Sequence, residues 1–179
     1  EVLQLQHKGE VDMLEETYLK IISAKTAELF AAATKVGAIL SDTGSKEKDA
    51  LEFYGRNLGL TFQIADDTLD YNSELKLFGK KIGQDFFEGK ITLPVILLFQ
   101  KLDQIEKKIL KQTFNKELRT KEDFDKIISL IKKYKIIDEC YQKAQHFINL
   151  ASSSLTVFKD SKEKEILKSL TSFSLTRNF

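Results

Sequence analysis

Between Lys46 and Tyr71 the chain places Leu51, Tyr54, Leu58, Phe62, Ala65 and Leu69 at intervals of three and four residues. That period belongs to one long helix with an apolar face. Gly55 and Gly59, four apart on the same element, form a small-residue face that lets a neighbouring helix come close. A second long helix is expected from Glu15 through Ala31 to about Leu40, with Leu19, Ile22, Ala27, Leu29 and Phe30 supplying apolar contacts. Shorter helices are expected over Glu1–His7, from Thr92 and Pro94 to Leu102, and over Asp103–Asn115, Lys121–Lys133, Ile136–Leu150 and Ser161–Phe173. Pro94 suits a first helical turn, where its missing N–H costs little. Residues 72–89 are expected to be loop-rich, with Gly79, Gly83 and Gly89 marking turns. Hairpin signals and β-α alternation are lacking. The pattern predicts one all-α domain over residues 1–179, with antiparallel neighbours joined by short loops.

Composition narrows the function classes. The 179 residues are 42% apolar and 31% charged, enough for a folded domain with a real core. A net charge of +1 with dispersed lysines offers no basic stripe for nucleic acid. The single cysteine, Cys140, is expected to be a buried small hydrophobe rather than part of a disulfide or zinc site. His7 and His146 lie far apart and suggest no metal cluster; for His146, core packing or surface is the plain expectation. The longest apolar run, Ile91–Phe99, contains Pro94 and is too short to span a bilayer, so no transmembrane segment is expected. With no signal peptide in view, a cytoplasmic location is expected. The chain opens at Glu1, within what looks like an element, which points to a fragment.

Residues Phe62 to Asp70, F-Q-I-A-D-D-T-L-D, carry the chemistry. Asp66 and Asp70 are four apart and Asp67 and Asp70 three apart, so a helix puts them on one face. Like charges that close repel, and aspartate is a poor helix former. Hard carboxylate oxygens in that arrangement suit magnesium bridging to a substrate phosphate. An exposed acidic patch or helix end is the plain alternative. Gln63 lies one turn before Asp67, where its carbonyl oxygen can face a developing positive charge. Lys25 beside Thr26, and Lys80, Lys81 and Lys90 in the glycine-rich loop, can neutralise a phosphorylated ligand. Each lysine taken alone is ordinarily solvated surface. Asp85, Glu88 and Tyr71 are as readily a solvated loop and a helix-end packing residue.

These segments together resemble the trans-type polyprenyl diphosphate synthases. Glu1–Leu5 is similar to the family's E-x-x-Q-L segment, and Tyr18–Thr26, Y-L-K-I-I-S-A-K-T, to its Y-x-x-x-I-x-x-K-T segment. Gly59–Asp70 resembles G-x-x-F-Q-I-x-D-D-x-L-D, the second aspartate-rich motif, and Phe78–Pro94 the glycine loop ending in E-G-K-x-T-L-P. The resemblance implies an isoprenoid-synthase-type helical bundle that joins isopentenyl diphosphate to an allylic diphosphate. It implies Mg2+ held by Asp66, with Asp67 and Asp70 supporting that site directly or through metal-bound water. Lys25 and Lys80 would contact the allylic diphosphate; Lys81 competes with Lys80 for that role, and Lys90 on the same loop is a further substrate-binding lysine. Thr26 and Gln63 would face the allylic carbocation. Arg177 falls where some members place a basic group near the homoallylic diphosphate, and Asp85 would order metal-bound water or the loop lysines.

Family members are nearly twice this length. The resemblance therefore implies the carboxy-terminal half of a bundle, without the first aspartate-rich motif and its arginines. It implies weak or no activity alone, an exposed apolar face and a homodimer for the full-length enzyme, and it admits a separate amino-terminal half. The expected product is a long-chain prenyl diphosphate for a quinone side chain. A noncatalytic or complementing subunit of a heteromeric synthase is the alternative, although such subunits often lose their aspartates. A terpene cyclase is a third reading, disfavoured by Lys25-Thr26 and the G-K-x-T-L-P segment.

Overall fold

Pairs of matched side chains set where the helices begin. Asp103 accepts the Glu106 N–H at 2.8 Å while Glu106 reaches back to the Asp103 N–H. Thr120 and Asp123 make the same reciprocal cap. Each satisfies donors that a helix start leaves open. Pro94 sits in the first turn of its helix, as expected.

The computed structural model describes residues 2–72 and 82–176. Among them all regular structure is helical. The elements are α1 (Val2–Gln6), α2 (Glu15–Ile22), a π-helical turn (Ser23–Ala27), α3 (Glu28–Leu40), α4 (Ser45–Leu69) and α5 (Gln84–Glu88). There follow α6 (Leu93–Lys101), α7 (Gln104–Phe114), α8 (Lys121–Lys133), α9 (Ile136–Ser154), a 3-10 turn (Leu155–Val157) and α10 (Lys162–Thr176). No described helix is long and apolar enough to cross a membrane. Three expectations change. The helix from Glu15 is interrupted by the π turn, the loop after α4 contains the short α5, and the helix from Ile136 runs on past Leu150.

The chain divides into two compact units. One takes the residues up to Ile21 together with Asp66–Cys140, and the other Ile22–Ala65 with the residues from Tyr141 onward. In the first, Phe86 packs edge-on to Phe114 and lies 5.3 Å from the Phe124 ring. Gly83 and Gly89 flank α5 with φ of +85° and +75°, the left-handed region in which a side chain is strained. Cys140 is fully buried in this unit, and burial pushes its thiol up to about 12.

In the second unit, α3 lies against α4 where the two glycines sit. A Cβ on Gly55 would come within 2.4 Å of the Phe30 carbonyl oxygen, and one on Gly59 within 2.6 Å of the Ala27 Cα. The face of α3 that meets α4 is thus built from Phe30 and Thr34, with Ala27 just before it. Thr34 donates to the Leu51 carbonyl at 2.6 Å, and the Phe30 and Phe62 rings lie 5.6 Å apart. Leu29 falls on the opposite side of that helix and is exposed, contrary to its expected packing role. Val36, Ile39 and Leu40 are exposed with it. Tyr54, Leu58, Ala151 and Leu155 form a core cluster, and the Tyr54 hydroxyl donates to the Leu167 carbonyl at 2.7 Å.

Gly59→Ala is expected to lower stability by roughly 1–3 kcal/mol through overpacking. Gly37→Ala is expected to be neutral or to add up to about 1 kcal/mol, because a Cβ there meets nothing within 4 Å. Thermal denaturation of the two variants, compared with the parent, checks the contrast.

Candidate active site

The described residues expected to carry the chemistry fall in two groups, one in each unit. The first begins at the π turn. There the Glu28 N–H reaches back to the Ser23 carbonyl, five residues earlier, so the turn holds one residue more than an α-helix allows. Lys25 and Thr26 are both within it and both half-buried. Ala27, fully buried, is the residue that meets Gly59. The Thr26 hydroxyl donates to the Gln63 side-chain carbonyl at 2.8 Å. The two residues expected to face a cation are therefore bonded to each other, with the threonine oxygen still able to accept.

The second group forms at the end of α4. Asp66 is half-buried, whereas Asp67 and Asp70 are each 2% exposed. Asp67 accepts a hydrogen bond from the Tyr18 hydroxyl at 2.8 Å. Burial, together with the Asp67 charge, holds the Tyr18 phenol well above its ordinary range, so it remains a donor. Asp70 accepts the N–H groups of Gln84 at 3.2 Å and Asp85 at 2.9 Å, the first residues of α5. Its backbone carbonyl takes the Gly83 N–H at 2.9 Å. A carboxylate at a helix N-terminus satisfies open donors and meets the positive end of the dipole. Lys90 lies 2.7 Å from Glu88 and 3.6 Å from Asp85.

The expectation of three carboxylates turned alike toward a metal is thus refined by their surroundings. Asp66 is the half-buried one, while Tyr18 donates to Asp67 and the Gln84 and Asp85 amides donate to Asp70. Among the described residues no three of His, Cys, Asp and Glu converge closely enough to hold a metal between them. Magnesium fits such a donor set, because it commonly takes one or two carboxylates and completes its shell with water and substrate phosphate. Lys80, Lys81 and Arg177 lie outside the described residues. Tyr18 had no expected role beyond its place in a motif, and its pairing with Asp67 across 49 residues leaves no trace in local spacing.

The chain matches the family model described as "Polyprenyl synthetase" over residues 1–131. It belongs to that family. It is 30% identical to an octaprenyl diphosphate synthase of Haemophilus influenzae over 179 residues, 100% of this chain and 54% of that protein. It is 31% identical to a geranylgeranyl diphosphate synthase of Sulfolobus acidocaldarius, over 99% of this chain and 54% of that protein. A solved polyprenyl synthase from Caulobacter crescentus, complexed with calcium and isoprenyl diphosphate, superposes with a TM-score of 0.93. It is 36% identical, covering 99% of this chain and 54% of that one. The fold is the all-α helical bundle of the isoprenoid synthases, and the chain spans about half the length of the relatives it matches.

Asp70→Ala is expected to cost about 1–2 kcal/mol, because it strips the start of α5 of its acceptor. Asp66→Ala is expected to change stability by no more than roughly 0.5 kcal/mol. Chemical denaturation of the two variants separates the carboxylate that holds the start of α5 from the half-buried one.

Proposed function

We propose that this chain serves a prenyltransferase that adds isopentenyl diphosphate units to an allylic diphosphate, yielding a long-chain polyprenyl diphosphate for a quinone side chain. The observation that carries the proposal is the graded acidic triplet, a half-buried Asp66 beside two buried carboxylates fixed by Tyr18 and by the start of α5. Asp66 is assigned to a magnesium ion on the allylic diphosphate, with Asp67 and Asp70 keeping the helix end in place around it. Magnesium, when bound there, neutralises negative charge that grows as diphosphate departs. Lys25, Lys90 and either Lys80 or Lys81 are assigned to the diphosphate oxygens. Arg177 is assigned to the homoallylic diphosphate. In this reading diphosphate takes Asp85 and Glu88's place as the partner of Lys90.

The Thr26–Gln63 pair is assigned to the allylic fragment. Thr26 donates to Gln63, so its own oxygen presents lone pairs while the bond fixes its direction. That supplies a negative dipole end for the positive charge left when the C–O bond breaks with its electron pair. The isopentenyl double bond then forms the new C–C bond, and a proton leaves to restore an alkene.

The relatives' remaining length supports a complement to this chain, carrying the first aspartate-rich motif and completing the bundle, with a homodimer as the full assembly. The exposed Leu29, Val36, Ile39 and Leu40 of α3 support the same reading. Retention of Asp66, Asp67 and Asp70 weighs against a noncatalytic subunit.

Co-expression with the amino-terminal half of a family member is expected to give magnesium-dependent incorporation of labelled isopentenyl diphosphate. Asp66→Ala is expected to lower that transfer by about 10²-fold or more without moving the unfolding midpoint. Unchanged turnover in the variant removes the role given to Asp66.

A further inference from the structure

The side of α4 that meets the π turn carries more than its glycines. Glu52, Arg56, Gly59 and Gln63 follow at steps of four, three and four residues, so they lie in one line along the helix. Each has a partner across the seam, in reverse chain order, and all belong to the second unit. Glu52 accepts from the Lys35 ammonium at 2.5 Å, and Arg56 donates to the Glu28 carboxylate. A Cβ on Gly59 would meet Ala27, and Gln63 accepts from the Thr26 hydroxyl at 2.8 Å. An ionic ladder therefore runs along the seam and ends at the turn that holds Lys25 and Thr26.

Arg56 is the joint of that ladder. Its other terminal nitrogen donates to Glu52 at 3.2 Å, so one planar guanidinium bridges two carboxylates. Glu28 in turn binds the first residue of the π turn twice. Its N–H closes the turn on the Ser23 carbonyl, and its carboxylate accepts the Ser23 hydroxyl at 3.3 Å. Glu28 thus clasps the turn, and Arg56 clasps Glu28 to α4. The Arg56 side chain keeps 32% of its exposure and that of Glu28 52%, so the pair adds little to the stability of the whole unit. Its leverage is local. A shift of this turn to α-helical spacing would release the Ser23–Glu28 bond and rotate Thr26 away from Gln63. A modest ionic tie at Glu28 decides between those two registers.

We propose that Arg56 is a positioning residue for prenyl transfer: through Glu28 it locks the π turn in the register that aims Lys25 and Thr26. Arg56 itself touches neither substrate nor metal in this reading. The link from the turn to catalysis rests on the assignment of Lys25 and Thr26 to the allylic diphosphate and its cation.

The test uses the full chain with Arg56→Met, which keeps an unbranched apolar stem, Arg56→Lys, which keeps a charge for Glu28, and Lys35→Met, which breaks the ladder at its far end. Each is expected to unfold within about 3 °C of the parent. Hydrogen exchange at the Glu28 amide, followed by NMR, is expected to quicken about fivefold in Arg56→Met. Arg56→Lys and Lys35→Met are expected to stay within about twofold of the parent. Sodium chloride at about 1 M is expected to quicken that amide in the parent and to leave Arg56→Met as it is, since screening removes only an ionic tie. Co-expressed with the amino-terminal half of a family member, Arg56→Met is expected to lower kcat about fivefold with KM for isopentenyl diphosphate unchanged, and Arg56→Lys to restore kcat. Unchanged exchange in Arg56→Met, an equal rise in Lys35→Met, or lost protection with kcat unchanged each overturns the proposal. A complemented parent that transfers nothing instead removes the functional reading, while the Glu28 amide still decides whether Arg56 holds the turn.

Discussion

The second unit is organised by the absence of two side chains. Gly55 and Gly59 let the backbone around Ala27 and Phe30 approach α4 to a distance that a single methyl group would forbid. That contact falls at the π turn, and the turn carries Lys25 and Thr26. With Ala27 seated on Gly59, Thr26 meets Gln63, four residues further along α4. A shorter approach in one place thus sets a polar bond in the next. A regular helical turn would rotate Thr26 relative to Ala27, so the extra residue reconciles tight packing with the hydrogen bond.

The acidic end of α4 obeys a different constraint. Two carboxylates that are almost wholly buried have to be matched by donors, or burial would favour their neutral forms. The chain supplies a phenol to Asp67 and two amides to Asp70. The third carboxylate, Asp66, is half-buried. The same bonds anchor α5, a helix too short to persist by its own propensity. Its glycine ends and the Phe86, Phe114 and Phe124 rings complete the anchorage.

Much of this was legible in the residue pattern, and the failures have physical causes. The helix over Lys121–Lys133 begins and ends where its pattern predicts, because its capping pair is local. The close approach at Gly55 and Gly59 follows from spacing on one helix. The apolar character of Leu29 suggests burial, but Ala27 and Phe30 beside it meet the glycines and the leucine turns outward. The π turn has no composition of its own, and α5, with five residues, is shorter than the window over which a helical period shows. At the candidate site the carboxylates are evident as a set, and the resemblance implies Asp66 as the one that holds the metal. The donors that set Asp67 and Asp70 apart, Tyr18 and the amides of Gln84 and Asp85, are distant in sequence and leave no local pattern.

Cys140 gives the first unit a native reporter. Its thiol is the only one in the chain, is wholly enclosed, and is held protonated far above neutral pH beside Thr68 and Asp67. A thiol in that state reacts only when the packing around it opens. The rate at which a disulfide reagent colours the solution therefore measures how often the helices around the acidic motif part, with no label introduced and no residue changed.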